Sequence, residues 1–347
     1  MAVDSLNFLE AVCGLPEQLA AAHEAAGRID IAHFAPAAHI DNIVVCGMGG
    51  SGISGDVFAT VLNDELPVPV TVLKQYRMPA FVGPRTLVFA VSYSGDTEET
   101  VSMARMAADC GARLVCISVG GALKTLAEEK GGLHVPCPPG YLPRAALGAL
   151  IAPLFVSAFR SGLAIGAHAQ LEMAQLQLAR RRDKCRPDVE GAANPAREIA
   201  RRIGRTIPLV YGGGALGAVA AYRWKCDINE NAKAPAFSHA HPELGHNEIC
   251  AWGQHGDVTR QLITLIELRH GFEHPRLSPR FGATRDVIDE AVHQIISVEA
   301  EGESRLAQLL DLMYLGDFVS CYLAFDNDVD PGPIDAIFEL KRRLADA

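Results

Sequence analysis

The chain has 347 residues, more than one ordinary core accommodates, and its length predicts two domains of roughly 150 residues each. With 49% hydrophobic and 21% charged residues it has the composition of a chain that buries a large core, which excludes a disordered or fibrous protein. A net charge of −10 excludes global attraction to nucleic acid or to an anionic membrane, so an anionic ligand must be held by a local site working against the overall field.

The N-terminus, MAVDSLNFLEAVCGLPEQL, has neither a basic n-region nor an unbroken apolar stretch, and is not read as a secretory signal. Helical spacing runs over residues 4–26 and stops at Gly27. Asn42–Cys46 is an apolar run ending at glycines, the pattern of a buried parallel strand and a tight turn. Strands are expected at 68–73, 87–92, 113–118 and 133–135, and helices at 97–110, 125–130 and 145–164. Within the last of these the apolar stretch from Ala145 to Phe159 contains Pro153, stops at Arg160 and is too short to span a bilayer. Residues 167–206 turn polar and arginine-rich, which reads as a solvated helical linker because aromatics for a nucleic-acid patch are missing.

Ile207–Tyr211 then ends at Gly212, Gly213 and Gly214, repeating the first strand-to-glycine turn, and a second series follows at 215–227, 262–268, 287–298, 306–323 and 334–345. Alternation of strands and helices predicts an α/β fold of two tandem doubly wound parallel sheets, with an N-terminal helix and a helical linker, produced by internal duplication. The expected segments are 1–165, the linker 166–206, and 207–347. Nine cysteines show no C-x-x-C pair, and several, such as Cys46 and Cys116, sit in apolar runs, as expected of small core residues in a reduced cytoplasm.

Residues 47–52 (GMGGSG) and 212–217 (GGGALG) both satisfy G-x-G-x-x-G, which alone is weak support for a dinucleotide site. The second strand ends Val72-Leu73-Lys74-Gln75, without the carboxylate that would bond a ribose, which weighs against a nicotinamide cofactor. The stretch VSYSGDTEET (91–100) is more informative. Ser92, Ser94 and Thr97 can donate into one concavity at a helix N-terminus, a phosphate cradle without basic side chains. A capping box built on Asp96 or Thr97 with Glu99 or Thr100 is the plainer reading, and both can hold, since a cap accounts for one hydroxyl but not for three.

GMGGSGISGD (47–56) together with SYSGDTEET (92–100) resembles the sugar isomerase (SIS) domain. NENAKAPAF (229–237) followed by PELGHNE (242–248) resembles the bifunctional phosphoglucose/phosphomannose isomerase family, and the likeness spans both predicted domains. It implies an aldose–ketose isomerase that passes a proton between C1 and C2 through a cis-enediol, with no cofactor and no metal. It implies Glu230 as the base, where the residues alone leave a cap or a salt bridge to Lys233 equally open. It implies His246, donated by the neighbouring subunit, at the ring oxygen, hence a homodimer with shared active sites. Arg144 is implied near the developing enediolate, Lys341 at ring opening, and Gly50, Ser51, Ser92, Ser94 and Thr97 at the substrate phosphate. The implied substrate is a phosphorylated hexose: glucose 6-phosphate, fructose 6-phosphate and mannose 6-phosphate. A different phosphosugar, or a regulator that binds without catalysis, is the alternative.

His239, His241 and His246 with Glu243 raise a zinc site, but H-x-H on a loop lacks the fixed spacing of helical ligand pairs. Two positions depart from the family pattern. Gly245 stands where an asparagine is expected before the histidine, and Gly332 stands where a hydroxyl residue is usual.

Overall fold

The computed structural model describes residues 3–345. The chain folds as two compact units, one made of Gly14–Ala179 with Glu301–Leu310, the other of Met1–Cys13, Arg180–Ala300 and Asp311–Ala347. The three consecutive segments 1–165, 166–206 and 207–347 are therefore not themselves the compact units. Each unit recruits a piece distant in sequence.

The first unit holds a five-stranded parallel sheet of β1 (Asn42–Cys46), β2 (Val70–Leu73), β3 (Thr86–Val91), β4 (Arg113–Ser118) and β5 (Leu133–Pro136), in the order β2-β1-β3-β4-β5. Every residue of β3 is buried, because both faces of the sheet are covered. Val44, Cys46, Val88, Ala90, Leu114 and Cys116 face the helices Glu98–Asp109 and Gly121–Lys130. On the other face Phe89 meets Phe58 at 5.9 Å between ring centroids, and Phe58 meets Phe155 of the helix Leu147–Arg160 at 5.8 Å. The period of two along each strand thus feeds two separate cores.

The second unit holds β6 (Ile207–Gly213), β7 (Phe237–His241), β8 (Ile263–Arg269) and β9 (Gln294–Glu299), all parallel, in the order β7-β6-β8-β9. The fold is two parallel-sheet α/β domains, as the alternation predicts. The sequence pattern does not predict β7, and the N-terminal helix is two, Phe8–Cys13 and Leu15–Gly27, parted at Gly14.

The arginine-rich stretch is not the solvated linker expected of it. Arg181 and Asp311 form a bidentate pair at 2.7 and 2.6 Å with side chains 4% and 0% exposed. Asn194 caps the helix Pro195–Ile203, and Arg197 lies over the Tyr322 ring at 4.3 Å. The helix Arg305–Asp326 is long and apolar enough to cross a membrane by length and composition, yet it is almost wholly buried as a core helix. None of the nine cysteines forms a disulfide.

Candidate functional site

In an open parallel sheet the strand order reverses at one point, and the loops leaving the two strands there diverge to open a crevice. In the first unit that point lies between β1 and β3. The loop after β1 leads into the helix Gly49–Leu62, which presents Gly50 and a buried Ser51 in its first turn. The loop after β3 carries Ser92, Ser94 and Thr97 into the helix Glu98–Asp109. Two helix N-termini, each a source of unpaired N–H groups, thus flank one crevice.

The capping-box reading of the second loop does not hold. Thr97 is the N-cap residue but makes no side-chain cap bond; its hydroxyl instead shares a 2.8 Å hydrogen bond with that of Ser92. Asp96 accepts from the backbone N–H of Ala122 at 2.8 Å, at the start of the next helix. The Gly95 and Asp96 N–H groups donate to Ser92 Oγ and Ser94 Oγ, both at 3.2 Å. The hydroxyls are thereby oriented by the turn itself.

Sequence reasoning missed one contributor. Tyr93 donates to the carbonyl of Pro138 at 3.0 Å and accepts from the N–H of Tyr141 at 2.9 Å, tying the hydroxyl loop to the segment that leads to Arg144. Arg144 is half-buried on the short turn Pro143–Ala145, immediately before the helix Leu147–Arg160. Lys74, directly after β2, is ion-paired with Asp56 of the helix that follows β1, so its charge is already matched. Burial nonetheless holds the Asp56 carboxyl above its ordinary value, against the pull of Lys74.

In the second unit, Glu230 lies in the last turn of the helix Gly214–Asn231 rather than in a turn after it. It is half-buried and lines a cavity of about 580 Å³ with Asn229, Lys233, Asp330, Pro333 and Ile337. Lys233, at φ 52°, sends its ammonium to the carbonyls of Asn231 at 3.2 Å and Asp330 at 2.6 Å. One and two turns earlier on the same helix, Asp227 and Arg223 are buried together with Asp317. Arg223 reaches Asp227 at 2.7 Å and Asp317 at 2.7 Å. Burial raises the Asp227 carboxyl well above its ordinary range; Arg223 opposes this and Asp317 reinforces it.

Glu230 and His246 stand at opposite ends of this sheet. The loop after Glu230, Ala232–Pro235, lines a cavity with Gly204–Ile207, where β6 begins. His246 is exposed on the turn Glu243–His246, beyond the C-terminal end of β7. Lys341 is exposed on the helix Asp335–Ala345, whose first turn contributes to the Glu230 cavity.

Gly245 lies in open surroundings, with Arg280 Nη1 3.5 Å from where a Cβ would be. Gly332 is buried, and a Cβ there would come within 2.9 Å of Leu6 Cβ, so the hydroxyl residue expected at this position does not fit beside Leu6.

His239 and His241 do not converge on a ligand. His239 Nδ1 accepts from the N–H of Ala240 at 2.8 Å, and the His241 ring is buried 4.3 Å from Phe281 and 6.2 Å from Tyr211. No group of three His, Cys, Asp or Glu among the described residues is placed to hold a metal ion.

Comparison with known proteins assigns the class. A family profile described as the SIS domain matches residues 38–155, and one described as the bacterial phospho-glucose isomerase C-terminal SIS domain matches residues 192–344. The two matches define a protein of two tandem SIS domains. A curated relative from Caldicellulosiruptor bescii, named bifunctional phosphoglucose/phosphomannose isomerase, is 36% identical over 98% of this chain and 99% of its own length. The chain belongs to the bifunctional phosphoglucose/phosphomannose isomerase family. A relative from Sulfolobus acidocaldarius, named D-glucosamine-6-phosphate 4-epimerase, is 32% identical over 75% of this chain and 74% of its own. Among solved structures, the C-terminal domain of glucosamine-fructose-6-phosphate aminotransferase from Francisella tularensis matches with a TM-score of 0.71 at 16% identity, over 95% of this chain and 98% of that one, a likeness of fold.

Proposed function

We propose that this chain isomerises phosphorylated hexoses, interconverting glucose 6-phosphate and fructose 6-phosphate and also accepting mannose 6-phosphate. The observation that carries the reading is the hydroxyl cradle. Ser51, Ser92, Ser94 and Thr97 lie between two helix N-termini at the switch point of the first sheet, where a dianionic phosphate can be met in an acidic protein. Family membership at 36% identity along the whole chain supports the same substrate class.

Phosphate binding remote from the reacting carbons supplies the energy that fixes C1 and C2 over the base. The Glu230 carboxylate takes the proton from C2 of the aldose and returns it to C1, while the enediol oxygens exchange theirs. Arg144 balances the enediolate charge with a guanidinium that never loses its proton. Lys341 and His246 serve ring opening, His246 from the neighbouring subunit of a homodimer; its exposure, at the far end of the sheet from Glu230, supports that exchange. Every step is proton transfer, so the chemistry requires no metal or redox cofactor. Nine cysteines without a disulfide support a reducing cytoplasm as the place of action.

A coupled assay with fructose 6-phosphate and mannose 6-phosphate, with and without EDTA, tests the reading directly. Glu230→Gln should lower kcat by about 10²–10⁴-fold, the range of a general base, and leave sugar-phosphate binding near wild type. Wild-type turnover in that variant would remove Glu230 from the role. The Sulfolobus relative favours a second reading, in which another phosphosugar is the substrate; turnover of glucosamine 6-phosphate in preference to both hexose phosphates would establish it. Binding without turnover of any of them would leave a regulator.

A further inference from the structure

The second sheet has a switch point of its own, between β6 and β8, because its order β7-β6-β8-β9 repeats β2-β1-β3-β4. The two loops that would build an anion cradle there are the glycine turn at the start of the helix Gly214–Asn231 and the segment after β8. Glu230 is at the other end of that helix, sixteen residues and so roughly 24 Å away at the helical rise, and plays no part at this end.

In the first unit, the segment after the corresponding strand offers Ser92, Ser94 and Thr97. In the second it offers Arg269, His270 and Glu273, and the glutamate folds back on the others. Its carboxylate accepts from Arg269 Nε at 2.9 Å, from Arg269 Nη2 at 2.7 Å, and from the His270 N–H at 3.1 Å. The Glu273 side chain is 9% exposed. Its Oε1 rests against the glycine turn, since a Cβ on Gly213 would lie 2.7 Å from it. His270 Nε2, 2.8 Å from the Gly213 carbonyl, ties the segment to the same turn. His241, the register partner of Gly213 on β7, is 2% exposed, and both its ring nitrogens lack a hydrogen-bond partner. A largely buried guanidinium, a backbone N–H and an unpartnered imidazole are the groups that a small oxyanion would bind.

We propose that the Glu273 carboxylate is a built-in occupant of this second anion site, so that the unit takes no phosphosugar of its own and harbours a latent site for a phosphate- or carboxylate-sized anion. The duplicated fold then differs between its halves by one substitution of kind: the first cradle waits for an external anion, and the second is filled by a residue of the chain. A tethered carboxylate competes at high effective concentration, which keeps free phosphate out.

The test is Glu273→Ala, read by calorimetric titration with inorganic phosphate and by thermal unfolding in sodium acetate against sodium chloride of equal ionic strength. The variant should bind one more phosphate per chain than wild type, and acetate should restore melting temperature that chloride does not. The same phosphate count as wild type, with no acetate effect, would overturn the proposal. Should the alanine variant not fold, Glu273→Ser opens the same space while keeping a polar side chain. Its melting temperature should rise more steeply with acetate than that of wild type, and equal slopes would overturn the proposal. The acetate comparison does not depend on the first cradle, so failure of the phosphosugar reading and failure of this one are told apart.

Discussion

The hydroxyls of Ser92 and Thr97 lie 2.8 Å apart across the turn that leaves β3. Each can give only one proton, so when they bond each other, one hydroxyl still has a proton to direct outward. Thr97→Val, which keeps the shape and removes the hydroxyl, should raise KM for fructose 6-phosphate by about 10- to 100-fold with kcat little changed, the worth of a hydrogen bond to a charged group. Steady-state kinetics decide it. A lowered melting temperature with unchanged KM would confine Thr97 to shaping the loop.

Glu230 and His246 occupy opposite ends of the second sheet, and this makes subunit exchange a sharp assay. Glu230→Gln and His246→Ala should each be inactive alone. Unfolded together and refolded, they should recover about a quarter of wild-type activity, because half the dimers are mixed and each mixed dimer has one intact site of two. No recovery would place both residues of a site on one chain.

Leu6 blocks the space beside Gly332. Gly332→Ser, which installs the hydroxyl residue that the sequence resemblance implies, should destabilise the protein by about 1–3 kcal/mol through overpacking. Adding Leu6→Gly, which removes the Cβ in the way, should restore part of that loss, as measured by urea unfolding. Equal stability of Gly332→Ser and wild type would mean that the N-terminal segment yields freely.

Burial, with Arg280 and Arg269 nearby, lowers the pKa of His241 from 6.5 to about 4. Above pH 6.5 the ring is neutral in both folded and unfolded chains. As pH falls below that value the unfolded chain takes up the proton and the folded one does not, until about pH 4. Stability should therefore fall across this window by at most about 1.4 kcal/mol per pH unit. His241→Phe, which preserves an aromatic ring beside Phe281, should flatten that part of the profile in urea titrations from pH 7 to 4.

Much of the first unit is legible in the sequence because its strands are unbroken apolar runs and its cradle is local, with Ser92 through Thr97 contiguous. What escapes depends on distant partners. Arg181 reads as a solvated charge until Asp311, 130 residues on, is placed against it. β7, FSHAH, is an edge strand with two histidines, and its apolar content is too low to separate it from a loop. Glu230 falls outside the helix expected at 215–227 because Asn229 and Asn231 are poor helix formers, yet Asn231 is buried and bonds Ser320, and Trp224 on the same helix donates to the Leu312 carbonyl, so packing overrides propensity.

The hydroxyl of Tyr314 meets the carbonyls of Val12 and Cys13 at 2.9 and 3.2 Å, which ties the beginning of the chain to its last long helix. On the ribosome this makes the first residues the longest to wait. The segment before Gly14 has no finished surface to join until the helix Arg305–Asp326 has emerged, and the unit that begins at Gly14 lacks Glu301–Leu310 until the same moment. The sheet core of the first unit, Val44 to Ala127, is present long before that, but neither unit is complete until then. Cutting the gene after Ala179 would yield two fragments, each missing a piece of its own unit.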